Sequence, residues 1–415
     1  MIALLLALWA IAPADTIRLD TCYRLAEAHH PRRQEFALHD EIAALRLDNL
    51  DARFLPTLSL QSQATYQSAI PSFPITLPGA SGPTISHDQY RVSLSVDQLV
   101  YDGGVVRRQQ ALERLQRDAA QQEVAVDLYR VRDQVNVAYF GALAAETRLA
   151  SLQTFAEDLA SRHRRLEAQV RAGLVTPGNA DVMAVERLRV DQQVAEAESA
   201  SKTALAVLSE LIGQPADGPL AWPEAPDAAF ENQRARPEYA AFALQTDLLA
   251  SQQALAGLKT RPRVVSFAEA AYGRPAGLDL FDDRFQPFYS FGLRVQWGFW
   301  DWRVSQRDRE ALTLQQDVVA AREEVFTRQL DLAAVEHGQA IERLEALLVQ
   351  DEEIIMLRAR ITEAAASQLD NGVLTATDFL IERNAEQQAR LTRDLHALQL
   401  LKSRIDYATA LATGE

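Results

Sequence analysis

The chain is written twice, and that duplication limits its folds more than any other feature. Pro31, Phe36, Ala37, Leu38 and Ala44 recur as Pro237, Phe242, Ala243, Leu244 and Ala250, an offset of 206 (31 to 237). The same offset joins Pro56 to Pro262 and Tyr66 to Tyr272. Beyond Tyr66 the offset becomes 199 (90 to 289): Tyr90, Leu94, Val96, Asp102, Val105 and Arg108 recur as Tyr289, Leu293, Val295, Asp301, Val304 and Arg307. It holds as far as Gly173 and Thr176, which recur as Gly372 and Thr375. One change of register, between Tyr66 and Tyr90, places a longer loop in the first copy. Each copy reads helix, strand, loop, strand, long helix, turn, helix. The first repeat covers 15–212, with strands over about 56–68 and 89–101, a long helix over about 103–172 and a second helix over about 177–212. The second covers 237–415, with strands over about 262–273 and 287–300 and helices over about 302–371 and 376–412. The join, 213–236, carries Pro215, Pro219, Pro223 and Pro226 and reads as irregular.

The strands alternate strictly. Tyr90, Val92, Leu94 and Val96 oppose Arg91, Ser93, Ser95 and Asp97. Tyr289, Phe291, Leu293, Val295, Trp297 and Phe299 oppose Ser290, Gly292, Arg294, Gln296 and Gly298. Leu58, Leu60, Ala64 and Tyr66 oppose a face of Thr, Ser and Gln. Tyrosines 66, 90, 272 and 289 border the loops, while Tyr101, Trp297, Trp300 and Trp302 mark the other end. A soluble sheet with one wet face shows the same alternation. The two aromatic levels and the strand length fit a membrane barrel with Arg91, Asp97 and Arg294 facing its lumen. Four strands cannot enclose a useful bore, and an open edge is not tolerated in lipid, so the chain must share its barrel with copies of itself.

The helices are too long for a globule. No proline interrupts Gly103 to Ala172 or Trp302 to Asn371, and about seventy residues make a rod on the order of 100 Å. Leu152, Phe155, Leu159, Leu166 and Val170, and in the second copy Leu347, Ile354 and Ile361, keep a heptad beat. The basic run from Arg162 to Arg165 reads as a solvated face. Asp102 and Asp301 stand where period two gives way to the heptad, each placed as a helix N-cap, with Gly103 and Gly104 supplying the turn in the first copy. Gly173-Leu174-Val175-Thr176 and Gly372-Val373-Leu374-Thr375 join the helices: glycine ends one, threonine caps the next, and Thr375 with Asp378 spells a capping box. Two apolar residues at each tip read as a docking patch or as local packing.

The rest narrows the function classes. With 42 Lys+Arg against 57 Asp+Glu the net charge is −15, which speaks against a nucleic-acid partner. One cysteine, Cys22, permits no intramolecular disulfide, and the seven histidines show no metal-ligand spacing, so neither cofactor nor metal is expected. Residues 2–12 are apolar and Ala12-Pro13-Ala14 follows, which reads as a secretory signal over 1–14, or as a buried first helix. Cys22 lacks a lipidation context. Asp279, Asp282 and Asp283 have no matched base or nucleophile and read as a solvated loop, so no enzyme is expected.

The duplicated Pro-led strand (Leu55-Pro56-Thr57-Leu58-Ser59-Leu60), the corner Tyr101-Asp102-Gly103-Gly104, the two tip segments and Leu211-Ile212-Gly213-Gln214-Pro215 together resemble the outer-membrane factor family, the TolC-like channel tunnels of Gram-negative bacteria. The resemblance covers nearly all of the chain after residue 14. It implies an α+β membrane protein whose four barrel strands and long coiled-coil helices belong to a homotrimer, with a shared 12-stranded β-barrel in the outer membrane and an α-helical tunnel in the periplasm. It implies a passive exit duct for small molecules in a tripartite efflux system, working with a periplasmic adaptor and an inner-membrane pump. A duct for type I protein secretion has the same physics, and a soluble periplasmic adaptor is the third reading. The family places adaptor docking at the tip segments and a gate carboxylate at Asp378, where the capping role competes. The first copy has Asn179 there, and Ala376 stands where some members carry a polar gate partner.

Overall fold

The computed structural model describes residues 16–70, 86–224, 235–277 and 284–411. The expected signal over 1–14, the acidic loop residues Asp279, Asp282 and Asp283 and the last residues of the chain lie outside them. The elements run α1 (Leu19–His29), a 3₁₀ turn (Pro31–Gln34), α2 (Glu35–Asp51), a second 3₁₀ turn (Ala52–Phe54), β1 (Thr57–Tyr66), β2 (Asp88–Tyr101), α3 (Val105–Arg171), α4 (Pro177–Ile212), α5 (Pro237–Ala256), β3 (Arg263–Arg274), β4 (Gln286–Gln296), α6 (Val304–Asp370) and α7 (Ala376–Leu411). The offset of 199 carries α3 onto α6 and α4 onto α7 residue for residue. Among the described residues no helix is long and apolar enough to cross a membrane.

The chain forms two compact units, each drawn from both repeats: Glu35–Gln122 with Ala241–Arg322, and Met1–Gln34 with Glu123–Ala240 and Glu323–Glu415. The first holds one antiparallel sheet in the order β1-β2-β3-β4. Thr57 pairs with Asp97 and Gln63 with Arg91; Asp97 pairs with Phe267 and Ser95 with Glu269; Glu269 pairs with Ser290 and Val265 with Arg294. Within the strands this register puts the alternating apolar residues of β1, β2 and β4 on one face and their polar partners on the other, where Val265 and Phe267 of β3 and Phe288 of β4 join them. β4 stops at Gln296, short of the expected residue 300. Its last partner is Arg263, and Pro262, just before it, has no N–H to extend the ladder. Trp297 to Trp300 therefore leave the sheet, and the Trp297 indole donates to the Thr260 carbonyl at 3.0 Å.

The second unit is helical. Its larger core joins Cys22 and Ala26 of α1 to Val135, Tyr139 and Leu143 of α3, Leu208 and Ile212 of α4, and Leu398 and Ile405 of α7. Cys22 is fully buried, and burial pushes its thiol up to about 11. Buried Asn136 is satisfied: its amide donates to Asp406 at 3.1 Å and Thr409 at 3.2 Å, and it accepts from the Tyr23 hydroxyl. The join between repeats is not wholly irregular. Leu220 forms a parallel bridge with Ile17, and the Tyr139 hydroxyl lies within hydrogen-bond reach of the Ile17 and Ala221 carbonyls, at 2.8 and 2.7 Å, sharing its one proton between them.

The heptads divide. In α3, Leu152, Phe155, Leu159 and Leu166 are buried, with Val170 half-buried. In α6 the buried positions are Val319, Leu330, Leu344, Asp351, Thr362, Ala365 and Leu369, whereas Ile354 and Ile361 are exposed and Leu347 half-buried. Leu347, Ile354 and Ile361 are not the seam inside this chain; they form a second apolar stripe. The run 162–165 departs from a solvated face. His163 is buried, and the Arg162 guanidinium lies 4.7 Å above the Phe379 ring, leaving Arg164 and Arg165 in solvent.

Candidate functional site

The sheet's polar face gathers charge. Arg91 of β2 donates to Glu269 of β3 at 2.5 Å, and Asp97 of β2 faces Arg294 of β4 at 3.9 Å. Each guanidinium also sits over a ring: Arg91 is 5.3 Å from Phe288 and Arg294 is 5.1 Å from Phe267. The end of the Phe267 ring packs against Gly292, where a Cβ would come within 2.9 Å of it, so a side chain there would push the ring aside. Arg91, Asp97, Phe267, Glu269 and Arg294 line one concavity with Gln61, Gln63, Ser93 and Ser95. The opposite face is apolar and open to solvent: Leu60 is 73% exposed, Tyr289 79% and Phe291 78%. A soluble sheet buries its apolar face; here the polar face is the more enclosed of the two. Glu269 escaped the sequence reading because β3 alternates weakly, with Ala268, Ala270 and Ala271 around it. The signal was its odd position, in phase with Arg263 and Phe267.

At both ends of the sheet aromatic side chains are exposed. Tyr66, Tyr90, Tyr272 and Tyr289 border the loops; Tyr66 stacks on His87, and Phe285 sits between Tyr90 and Tyr272. Trp297, Phe299, Trp300 and Trp302 crowd the corner before α6, with Trp300 and Trp302 edge to face at 5.7 Å.

The two corners use one hydrogen-bond scheme with different residues. Asp102 accepts from the Gly104 and Val106 amides at 2.8 and 2.5 Å. Asp301 accepts from Arg303 and Ser305 at 3.0 and 2.9 Å. Two left-handed residues follow each aspartate. In the first copy they are Gly103 and Gly104, at φ +72° and +89°. In the second they are Trp302 and Arg303, at φ 52° and 63°, a conformation that disfavours side chains.

The tips lie in the helical unit. Gly173 and Gly372 are left-handed and close Schellman turns: Leu174 N–H reaches Gln169 at 2.9 Å and Val373 N–H reaches Gln368 at 2.9 Å. Leu174 and Val373, one offset apart, are 73% and 76% exposed. Val175 and Leu374 instead turn inward onto the core of Phe155, Leu159, Met183 and Phe379. Each tip thus presents one apolar side chain, not two. The second tip has the expected capping box, with Asp378 N–H donating to the Thr375 hydroxyl at 3.2 Å and that hydroxyl donating to the Asp378 carboxylate at 2.7 Å. Thr176 makes no side-chain cap, a departure from the expected role. Pro177 at the first position of α4 leaves fewer amides to cap. Asn179, the counterpart of Asp378, crosses to the other tip and accepts from the Ala376 amide at 3.0 Å. Ala376, read from sequence as lacking a polar gate partner, is fully buried, and its backbone makes that contact.

Among the described residues no group of three or more His, Cys, Asp or Glu could hold a metal ion. No protein-family model matches the chain, and no curated protein does. Solved structures do. CusC, studied for the conformational changes accompanying folding and transmembrane channel formation, superposes with a TM-score of 0.69 at 13% identity over 98% of this chain and 96% of that one. The CmeC outer membrane channel of Campylobacter jejuni gives 0.64 at 14% identity, covering 95% and 85%. The open state of the MtrE outer membrane channel of Neisseria gonorrhoeae gives 0.65 at 16% identity, covering 95% and 88%. At such identities the likeness is one of fold, and the fold of this chain, two strands and one pair of long helices written twice, is that of the TolC-like outer-membrane channel tunnels.

Proposed function

We propose that the chain is one subunit of an outer-membrane channel tunnel, a passive exit duct for small molecules that catalyses nothing itself. The observation that carries this reading is the sheet. Its apolar face is exposed along its length, its charged face is concave, and β1 and β4 end it with unpaired edges. In lipid those edges have to be paired. The β1 edge of one copy then meets the β4 edge of the next, and three copies give a closed barrel of twelve strands. In this reading the helices stand in the periplasm of a Gram-negative bacterium. The exposed tip residues receive a periplasmic adaptor, which joins the duct to an inner-membrane pump, and Asp378 lines the gate. The fold shared with outer membrane channels supports this reading.

The test is reconstitution. Protein extracted from outer membranes should carry three chains per detergent particle and open conducting pores in a planar bilayer. A soluble single chain, or a trimer that conducts at no pH or voltage, overturns the proposal.

A further inference from the structure

The two copies have diverged in complementary ways on the polar face of the sheet. Arg91 stands where the second copy has Ser290, and Asp97 where it has Gln296. Glu269 stands where the first copy has Gln63, and Arg294 where it has Ser95. Each of these four charges has a neutral polar counterpart, and each meets one of opposite sign from the other copy: Arg91 with Glu269, Asp97 with Arg294. The four sum to zero.

From this we infer that Arg91, Glu269, Asp97 and Arg294 are ion-selectivity determinants of the barrel. They form two compensated pairs that add no net charge to the middle of the strand section, with Arg263 at the start of β3 the further charge in phase with them, so that solutes of either sign pass the pairs. The inference rests on the channel reading and goes beyond it by assigning these residues a measurable role. Three observations support it. First, exposed ion pairs contribute little to stability, and three of the four side chains are exposed: Arg91 and Arg294 are 48% and 65% accessible and Asp97 45%, with Glu269 half-buried at 23%. Strand stability alone does not require four charges here. Second, each guanidinium is also held over an aromatic ring, which fixes its position independently of the carboxylate. Removing a carboxylate therefore leaves a cation in place on the concave face. Third, a closed barrel repeats each charge in every copy, and rings of like charge set the selectivity of pores.

The experiment is the permeability ratio of K⁺ to Cl⁻, from reversal potentials of the reconstituted full-length protein in a neutral bilayer. Ionic strength is kept low, about 0.01 M on the dilute side, where screening reaches only beyond roughly 30 Å. Glu269→Gln should lower the ratio by about twofold or more, and Arg91→Gln should raise it by a similar factor, since charged rings govern which ion enters. The double variant should return to the parental ratio. Asp97→Asn and Arg294→Gln repeat the test at the second pair, with the same opposed signs, should either first-pair variant fail to assemble. The exchange Arg91→Glu with Glu269→Arg keeps both the pairing and the sum, and should keep the parental ratio. Conducting variants whose ratios stay at the parental value, or shift in one direction irrespective of the charge removed, overturn the inference and leave the channel standing. Absence of pores in the parent overturns the channel reading itself.

Discussion

At the scale of single residues, backbone geometry sets the sharpest constraints. Gly103 and Gly104 both take left-handed φ, but only at Gly103 would a Cβ collide, 2.7 Å from the Cβ of Arg261. Gly104→Ala should cost about 1 kcal/mol, the ordinary penalty for an L-residue in this conformation. Gly103→Ala should cost about 2–4 kcal/mol once overlap is added. Arg303 occupies the matching place in the second copy with a side chain, and Arg303→Gly should act with the opposite sign. Relief of about 1–2 kcal/mol outweighs the extra chain entropy of glycine, about 0.5–1 kcal/mol. Thermal melting of the assembled protein checks all three; a lower midpoint for Arg303→Gly would show that its side-chain contacts outweigh the strain. Asp378 poses a different question, because capping and gating both use its carboxylate. Asp378→Asn keeps an oxygen for the Thr375 hydroxyl and removes the charge. Expected are an unchanged midpoint and weaker block of the pore by divalent cations. Unaltered block would leave Asp378 its cap alone.

At the scale of elements, much was legible because two periods, 2 and 3.6, were each kept over long stretches and then repeated. Phase fixed both faces of β2 and β4, from Arg91 and Asp97 to Arg294, and the helices follow from seventy residues without proline. What escaped depended on partners. Glu269 was hidden in an alanine-rich strand, and the end of β4 was decided by Pro262 on its neighbour. The apolar stripe through Ile354 kept the heptad period but not the burial, since period reports that a face is apolar and not what covers it. The tips show the same limit. Spacing could not tell that Leu174 points out and Val175 in, a difference made by the left-handed glycine between them and the preceding helix. The structure makes the docking test sharper. Leu174→Asp and Val373→Asp should each reduce adaptor capture and export at least about tenfold, the loss of about 1.4 kcal/mol, without altering the melting midpoint. Val175→Asp or Leu374→Asp should instead destabilise the tip by placing an unpaired charge against Phe379 and its neighbours. Full capture by the Leu174→Asp/Val373→Asp double variant would remove docking from the tips.

At the scale of the whole molecule, a single chain leaves two kinds of surface that the proposed assembly of copies would cover. One is the pair of sheet edges, β1 and β4. The other is on α6, where Ile354, Leu357 and Ile361 are 46%, 44% and 45% exposed at coiled-coil spacing. Edges alone fix no particular number of copies, since any closed ring pairs them. A heptad seam asks for a helix alongside, and burying the exposed half of one isoleucine side chain stabilises by roughly 1 kcal/mol. In the proposed assembly of three chains, two such residues per chain make the seam a contribution on the order of several kcal/mol from the half side chains buried. Ile354→Lys with Ile361→Lys replaces that gain with charges that must stay hydrated, while the buried positions Thr362, Ala365 and Leu369 are untouched. The variant chain should therefore keep its helix content by circular dichroism. Its three-chain particle should dissociate at lower denaturant than the parent, with a loss that grows on dilution because association is concentration-dependent. An isoleucine-to-valine pair at the same positions should leave the mass unchanged. If the lysine variant holds three chains as firmly as the parent, the stripe faces solvent in the assembly and the strand edges hold the copies together unaided.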